Sequence, residues 1–180
     1  EVNGQKNRLS GVEIRDIHLV GNDYNGTGVW VAHDNDRTQL INVTVEKCNL
    51  GMRINGADAI VINNCTMTDV TNGLEMYGGI QNSVTDCKFG SLSKGVTCYI
   101  SGESNLLFSD NELNGAGENG LMVSGTRINV SDCTVEGPCV GLFELNGDNN
   151  LVSDNVFTLK NTGADQLAGR SADYGVVLVK

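Results

Sequence analysis

The stretch Gly51-Met52-Arg53-Ile54 returns 22 residues later as Gly73-Leu74-Glu75-Met76, with glycine followed by an apolar, a variable and an apolar residue. The other copies, the last of them shortened, are Gly28-Val29-Trp30-Val31, Gly95-Val96-Thr97-Cys98, Gly120-Leu121-Met122-Val123 and Gly141-Leu142-Phe143. Successive glycines lie 21 to 25 residues apart. A repeat of this length indicates a solenoid, because each unit is too short to bury its apolar side alone.

A second column of residues follows the same period. It consists of Val84-Thr85-Asp86-Cys87, Phe108-Ser109-Asp110-Asn111, Val130-Ser131-Asp132-Cys133 and Val152-Ser153-Asp154-Asn155. Cys65 lies 22 residues before Cys87 and extends the column. We expect the Asn and Cys side chains of this column in an inward turn. There Asn can hydrogen-bond along the stack and Cys fills the same volume.

Each repeat contains strand-like runs of three to five residues separated by Gly, Asn, Asp and Ser. Runs of this kind, stacked about 4.8 Å apart, predict an all-β fold, a right-handed parallel β-helix. This pectin-lyase-like solenoid would have about eight coils in a single domain, residues 1–180. An antiparallel sandwich also suits short strands, but the regular glycine motif disfavours it. The strand-like Tyr174–Val179 runs directly into Lys180, so we expect a central fragment of a longer chain.

Alternation of side chains within each strand predicts an inward and an outward set. The expected inward residues are Val29, Met52, Leu74, Val96, Leu121 and Leu142, followed by Val31, Ile54, Met76, Cys98 and Val123. The expected outward residues are Trp30, Arg53, Glu75, Thr97, Met122 and Phe143, followed by Asn55, Tyr77, Tyr99 and Ser124. The outward set forms one continuous exposed surface, where we expect the function.

The net charge of −10, from 12 basic and 22 acidic residues, disfavours a nucleic-acid partner. No apolar run approaches the length of a membrane span, so no membrane partner is expected. The six cysteines contain no C-x-x-C pair and are interpreted as structural thiols. His18 and His33 lack metal-ligand spacing and are expected to be solvated. We therefore predict no metal site and no cofactor.

Glu75 lies in the middle of a predicted strand between inward Leu74 and Met76, where a charge has no structural purpose. Around it the outward set offers the aromatic residues Trp30, Tyr77 and Tyr99 and the polar residues Arg53 and Asn55. Sugars suit such a surface, because their C–H faces stack on rings and their hydroxyls meet polar groups. The alternatives are a solvated sheet without function or a subunit interface.

An ordered set of motifs resembles the inulin fructotransferases, which form difructose anhydride from inulin, and the related difructose anhydride hydrolases. The matching stretches are Arg8-Leu9-Ser10-Gly11 with Arg15-Asp16, Thr27-Gly28-Val29, Asp34-Asn35-Asp36, Gly56-Ala57-Asp58-Ala59, Gly147-Asp148-Asn149-Asn150-Leu151-Val152-Ser153 and Tyr174-Gly175-Val176-Val177. The resemblance implies a β-helix, a homotrimer with sugar sites between neighbouring β-helices, and two catalytic carboxylates eleven residues apart.

Carried over residue by residue, the family Glu falls on Glu75 and the family Asp falls on Asn64. Asn64 cannot exchange protons, which is where this sequence departs from the family pattern. Either Glu75 is the general acid/base together with another acid such as Asp69, or the reaction differs, or activity is lost. Trp30, Arg53, Asn55, Tyr77 and Tyr99 are the expected substrate-binding residues.

The resemblance and Glu75 together indicate an enzyme that cleaves β-2,1-fructosyl linkages. Internal transfer would give difructose anhydride, in a lyase-type reaction, and attack by water on the dianhydride would make it a glycosidase. One alternative is a non-catalytic β-helix that binds glycans or is structural, and another is a polysaccharide lyase or epimerase. If polymeric inulin is the substrate, an extracellular location is favoured.

Overall fold

The computed structural model describes residues 10–92, 95–115, 119–137, 141–159 and 174–179, and the regular structure in these ranges is all β. Every strand pairing among them is parallel. Parallel pairing excludes the antiparallel sandwich and confirms a parallel β-solenoid. No helix in these ranges is long and apolar enough to cross a membrane.

Two sheets run the length of the stack. The shorter sheet contains seven strands: β2 (Thr27–Val31), β4 (Leu50–Asn55), β7 (Asn72–Ile80), β10 (Val96–Ser104), β13 (Asn119–Thr126), β16 (Gly141–Asn146) and β19 (Tyr174–Val179). The longer sheet contains twelve strands: β1 (Glu13–Val20), β3 (Gln39–Glu46), β5 (Val61–Asn63), β6 (Thr66–Thr68), β8 (Ser83–Thr85), β9 (Lys88–Ser91), β11 (Leu107–Ser109), β12 (Glu112–Gly115), β14 (Asn129–Ser131), β15 (Thr134–Gly137), β17 (Leu151–Ser153) and β18 (Val156–Leu159).

A repeated corner divides the longer sheet into two sides. The coils from β4 to β18 each have one strand in the shorter sheet and two short strands around this corner, as in β4, β5 and β6. The corner residues Asn64, Asp86 and Asp110 have φ of 51°, 56° and 57°. Asn and Asp tolerate this left-handed conformation better than other residues that carry a side chain. The sequence therefore turns the chain at the same place in each coil.

The stack has about six turns rather than the expected eight, because seven strands of the shorter sheet enclose six intervals. The expected number assumes that all 180 residues form coils of equal length. The last turn is longer, since Tyr174 pairs with Gly141, 33 residues before it. Residues outside the described ranges also contributed to the expected number.

Inside the coils, apolar side chains stack in columns. Met52, Ile54, Leu74 and Met76 are fully buried, as the alternation predicts. Residue columns of this kind form a single core along the stack because each coil covers the apolar side of its neighbour.

The predicted Asn and Cys column is confirmed. Asn111 Oδ1 accepts the Cys87 N–H at 2.9 Å, and Asn111 Nδ2 donates to the Val84 carbonyl at 2.9 Å. Asn155 makes the equivalent bonds with the turn at Cys133. The buried thiols, which are free, are Cys48, Cys65, Cys87, Cys98 and Cys133, and Cys139 lies outside the described residues.

The coil containing β10 corrects part of the predicted surface. Cys98 pairs with Leu74, which lies 24 residues before it rather than the 22 of the repeat. The motif that begins at Gly95 is therefore displaced by two positions relative to the preceding coil. Thr97 is therefore buried, with its hydroxyl 2.9 Å from that of Ser91, whereas it was predicted to face outward. Val96, predicted to be inward, is only partly buried.

Phe143 was also predicted to face outward, and it is buried. It pairs with Leu121 because Gly141 aligns with Asn119 rather than with Gly120. Its ring stacks on Phe157 with the ring centroids 5.2 Å apart. The glycine motif thus marks the strand but not its register in every coil.

Candidate functional site

The outward side chains of the shorter sheet form two adjacent columns, here named the outer face. The first column contains Trp30, Arg53, Glu75, Tyr99, Met122 and Glu144. The second contains Asn55, Tyr77, Ser101, Ser124 and Asn146. The predicted outer wall shared by Trp30, Glu75 and Tyr77 is confirmed. Tyr99 belongs to the first column, beside Glu75, because of the shift in β10.

Glu75 is the most highly connected side chain of the outer face. Arg53 donates from Nη2 at 2.6 Å and from Nε at 3.1 Å to Oε2 of Glu75. The Tyr77 hydroxyl donates to the same oxygen at 3.2 Å, and Asn72 Nδ2 donates to Oε1 at 3.3 Å. The Glu75 side chain is 13% exposed. These contacts hold the carboxylate in one position at the surface of the sheet.

Tyr77 connects the carboxylate to an aromatic surface. Its ring lies beside that of Tyr99, with centroids 5.6 Å apart and planes tilted by 50°. Burial, with a contribution from the negative charge of Glu75, raises the pKa of Tyr77. The phenol is therefore protonated at neutral pH and can donate a hydrogen bond or a proton.

An open depression of about 280 Å³ lies next to this cluster, lined by His33, Arg53, Asn55 and Tyr77. His33 was expected to be simply solvated, and its place on the rim was missed. A Cβ at Gly56, whose φ is +57°, would collide with the His33 ring. Extending the register of Val31 with Ile54 by two residues would have placed His33 beside Gly56.

The two other candidate residues lie elsewhere. Asn64 is at the corner between β5 and β6, and its amide donates to Asn42 Oδ1 at 3.5 Å. Asp69 follows β6 and accepts a hydrogen bond from the Tyr24 hydroxyl at 2.9 Å. The structure thus groups Arg53, Asn55, Tyr77 and Tyr99 around Glu75. It places Asn64 and Asp69 in contacts with other residues.

The strand pairing shows parallel coils, and a comparison with known protein families gives the direction in which they wind. Residues 27–178 match the profile described as "Right handed beta helix region". The chain belongs to this right-handed β-helix family. The predicted handedness is thereby confirmed, and it agrees with the right-handed crossovers usual between parallel strands.

Among solved structures, this β-helix is similar to DFA-IIIase from Arthrobacter chlorophenolicus A6, whose crystal structure contains GF2. The TM-score is 0.71 at 20% sequence identity, over 97% of this chain and 49% of that chain. At this identity the similarity shows a shared fold, and the chain spans about half the length of that relative. A search of curated proteins found no match.

The described residues of this β-helix contain no group of three or more His, Cys, Asp or Glu side chains that could hold a metal ion. Around Glu75 the outer face offers a carboxylate fixed by a guanidinium, a protonated phenol beside it, and the aromatic ring of Tyr99 in the next coil.

Proposed function

We propose that this β-helix is a carbohydrate-active enzyme of the inulin fructotransferase type. It would cleave β-2,1-fructosyl linkages with internal transfer to give difructose anhydride, or hydrolyse the dianhydride. The observation that carries the proposal is the fixed Glu75 carboxylate on an exposed surface with aromatic neighbours. Support comes from the motif resemblance and from the structural similarity to DFA-IIIase crystallised with GF2, a fructo-oligosaccharide.

Cleavage of a fructosyl bond requires a proton at the leaving oxygen while the anomeric carbon gains positive charge. Glu75 would be the general acid/base, and Arg53 would position its carboxylate. The Tyr77 hydroxyl adds a donor at the same oxygen of Glu75. Attack by a hydroxyl of the neighbouring fructose closes the dianhydride, and attack by water gives hydrolysis.

The outer face suits a neutral sugar better than a uronate. Arg53 is the permanently charged basic side chain that lines the depression, beside the imidazole of His33, and Glu75 already pairs with Arg53 at 2.6 Å. A polysaccharide lyase or epimerase needs a free cation or a metal ion opposite the uronate carboxylate. Trp30 and Tyr77, each 39% exposed, instead offer ring surface to the C–H faces of a sugar.

The proposal includes a homotrimer, which the family resemblance implies. Asn64 lies at a corner of the longer sheet and supplies no second carboxylate beside Glu75. A carboxylate from an adjacent subunit would complete the pair. Light scattering of the purified protein tests this part, with a mass of three chains expected and a monomer contradicting it.

The central test compares the wild type with Glu75→Gln after incubation with inulin and with difructose anhydride, using chromatography of the products. Gln keeps the shape of Glu but cannot exchange the proton, so we expect a rate loss of roughly 10²-fold or more. Glu112→Gln, on the outer side of the longer sheet, is the matched control and should retain the wild-type rate. A full rate in Glu75→Gln would remove Glu75 from the mechanism.

A glycan-binding β-helix without catalysis is the second candidate function. Asn64 at the family's Asp position favours it, and so does the engagement of both Glu75 oxygens by hydrogen bonds. The same experiment separates the two candidates. Sugar binding with no product from the wild type identifies a binding protein, and product formation identifies the enzyme.

A further inference from the structure

A second depression, of about 160 Å³, lies farther along the outer face. Its side chains come from β10, β13 and β16, and they are Tyr99, Met122, Ser124, Glu144 and Asn146. Tyr99 borders this depression and Tyr77 borders the first one, with the two rings 5.6 Å apart. The aromatic pair thus forms a continuous ridge between the two depressions.

The polar groups of the second depression are open to a ligand. In the part of the chain that the structure describes, no hydrogen bond or ion pair engages the Glu144 carboxylate. Ser124 donates to the Ser101 hydroxyl at 3.2 Å, which leaves its own oxygen able to accept. The thioether of Met122 and the ring of Tyr99 provide the apolar surface between these groups.

The tripeptide Glu-Leu-Asn occurs twice in the sequence, at 112–114 and at 144–146, so the surroundings of Glu112 and Glu144 can be compared directly. In both copies the leucine faces the core. Glu112 accepts from Asn114 at 2.8 Å and pairs with Lys88 at 3.1 Å. The Glu112 carboxylate on the longer sheet thus already has partners. Among the described residues, the Glu144 carboxylate on the outer face has none.

We propose that the second depression is a subsite for a further sugar residue, so that the outer face binds a neutral oligosaccharide running across the strands. This inference rests on the proposed function. Three strand spacings separate β7 from β16, which is about 14 Å and longer than one sugar ring. Sugar hydroxyls would donate to Glu144 and Asn146, and a C–H face would lie on Tyr99.

The Glu144 carboxylate, which has no partner among the described residues, defines the chemical class of the ligand. A negative group that accepts hydrogen bonds favours neutral hydroxyl-rich chains and repels uronates, and the net charge of −10 acts in the same direction. The first depression then holds the linkage that reacts, and the second binds the continuing chain. The length of the sugar chain thereby becomes a determinant of its affinity for the outer face.

Calorimetric titration with inulobiose and inulotetraose tests the subsite. All proteins carry Glu75→Gln so that the ligand is not consumed. The test variant adds Glu144→Ala with Asn146→Ala, and the matched control adds Glu112→Ala with Asn114→Ala. We expect the parent and the control to bind the tetraose about tenfold more tightly than the biose, as two hydrogen bonds to the longer chain would give. The test variant should lose this preference.

Three results would overturn the subsite. The parent binds the two ligands with equal affinity, the parent binds neither ligand, or the control variant loses the preference for inulotetraose as the test variant does. Product formation by the protein with Glu75 intact is measured separately. Length-dependent binding without products supports the subsite and refutes the enzyme. Products without length-dependent binding refute the subsite and leave the enzyme standing.

Discussion

Glu75 and Glu144 occupy the same column of the same sheet, yet their carboxylates differ in every contact. The residue one coil before Glu75 is Arg53, and the residue one coil before Glu144 is Met122. Glu75 is consequently fixed by a guanidinium, whereas Glu144 has no hydrogen-bonding partner among the described residues. In this solenoid the residue one coil earlier thus supplies the main difference between the two carboxylates, and Asn72 and Tyr77 of its own coil add to the positioning of Glu75.

Glu103 shows a third arrangement, inside the wall rather than on it. It lies on β10 and is 1% exposed, and Asn82 Nδ2 donates to its Oε2 at 2.8 Å. Oε1 has no hydrogen-bond partner within the described ranges. Burial raises the pKa of Glu103 to about 7, and the charge of Asp58 acts in the same direction. This carboxylate has neither the cation of Glu75 nor the solvent available to Glu144.

The largest effect on stability is expected at Glu103. The pKa of Glu103 is higher in the folded than in the unfolded state, so its protonated form stabilises the fold. This contribution to stability is complete when the pH is below the pKa of the unfolded state, and it is lost as the pH rises through about 7. Between about pH 4 and 8 the free energy of unfolding of the wild type should fall by up to about 3 kcal/mol because of Glu103. Glu103→Gln should not show this fall. Urea unfolding at both pH values measures this change. Glu112→Gln is the contrasting variant: hydrogen bonds from Asn114 and Lys88 lower the pKa of Glu112, so its removal should leave the loss toward about pH 8 in place. An unchanged pH dependence in Glu103→Gln would refute the interpretation.

Arg53→Met gives Glu75 the neighbour that Glu144 has. The largely buried Glu75 carboxylate would lose its cation, so we expect the free energy of unfolding to fall by about 1–2 kcal/mol. Urea unfolding at neutral pH is the measurement. A loss of the same size in Arg15→Met, which removes an exposed cation near Glu13, would show that the Glu75 pair has no special importance.

Met122→Arg is the reciprocal change, and it gives Glu144 a guanidinium one coil earlier. Both side chains lie at the surface, so the new pair should stabilise the fold by less than about 1 kcal/mol. The same substitution should abolish the preference for inulotetraose, because Glu144 would no longer be open. Titration with both oligosaccharides checks this second effect, and a retained preference would contradict the role given to Glu144.

The smallest effect is expected at Asn64. Asn64→Asp restores the residue type of the family at a corner where Asp86 and Asp110 adopt the same conformation. The fold should be unchanged, and product formation should match the wild type because Asn64 contacts Asn42 rather than the Glu75 cluster. A marked increase in turnover would show that position 64 takes part in the reaction.

The sequence period was sufficient to predict the parallel coils, the Asn and Cys column and the position of Glu75 on the outer face. It failed where loop length changes, because Thr97 and Phe143 follow a shifted glycine and are buried. It also missed His33, which reaches the depression by packing over Gly56 after its strand has ended. A repeat predicts the register only between coils of equal length, and contacts made beyond strand ends depend on the path of the turn.

The central claim is that the outer face holds a sugar with its reacting linkage at Glu75. The most direct measurement is a crystal structure of the Glu75→Gln variant with inulotetraose. The account predicts electron density for the sugar along Tyr77 and Tyr99, with a glycosidic oxygen beside residue 75 and the chain continuing toward Glu144. An empty outer face, or sugar density on the longer sheet, would contradict it.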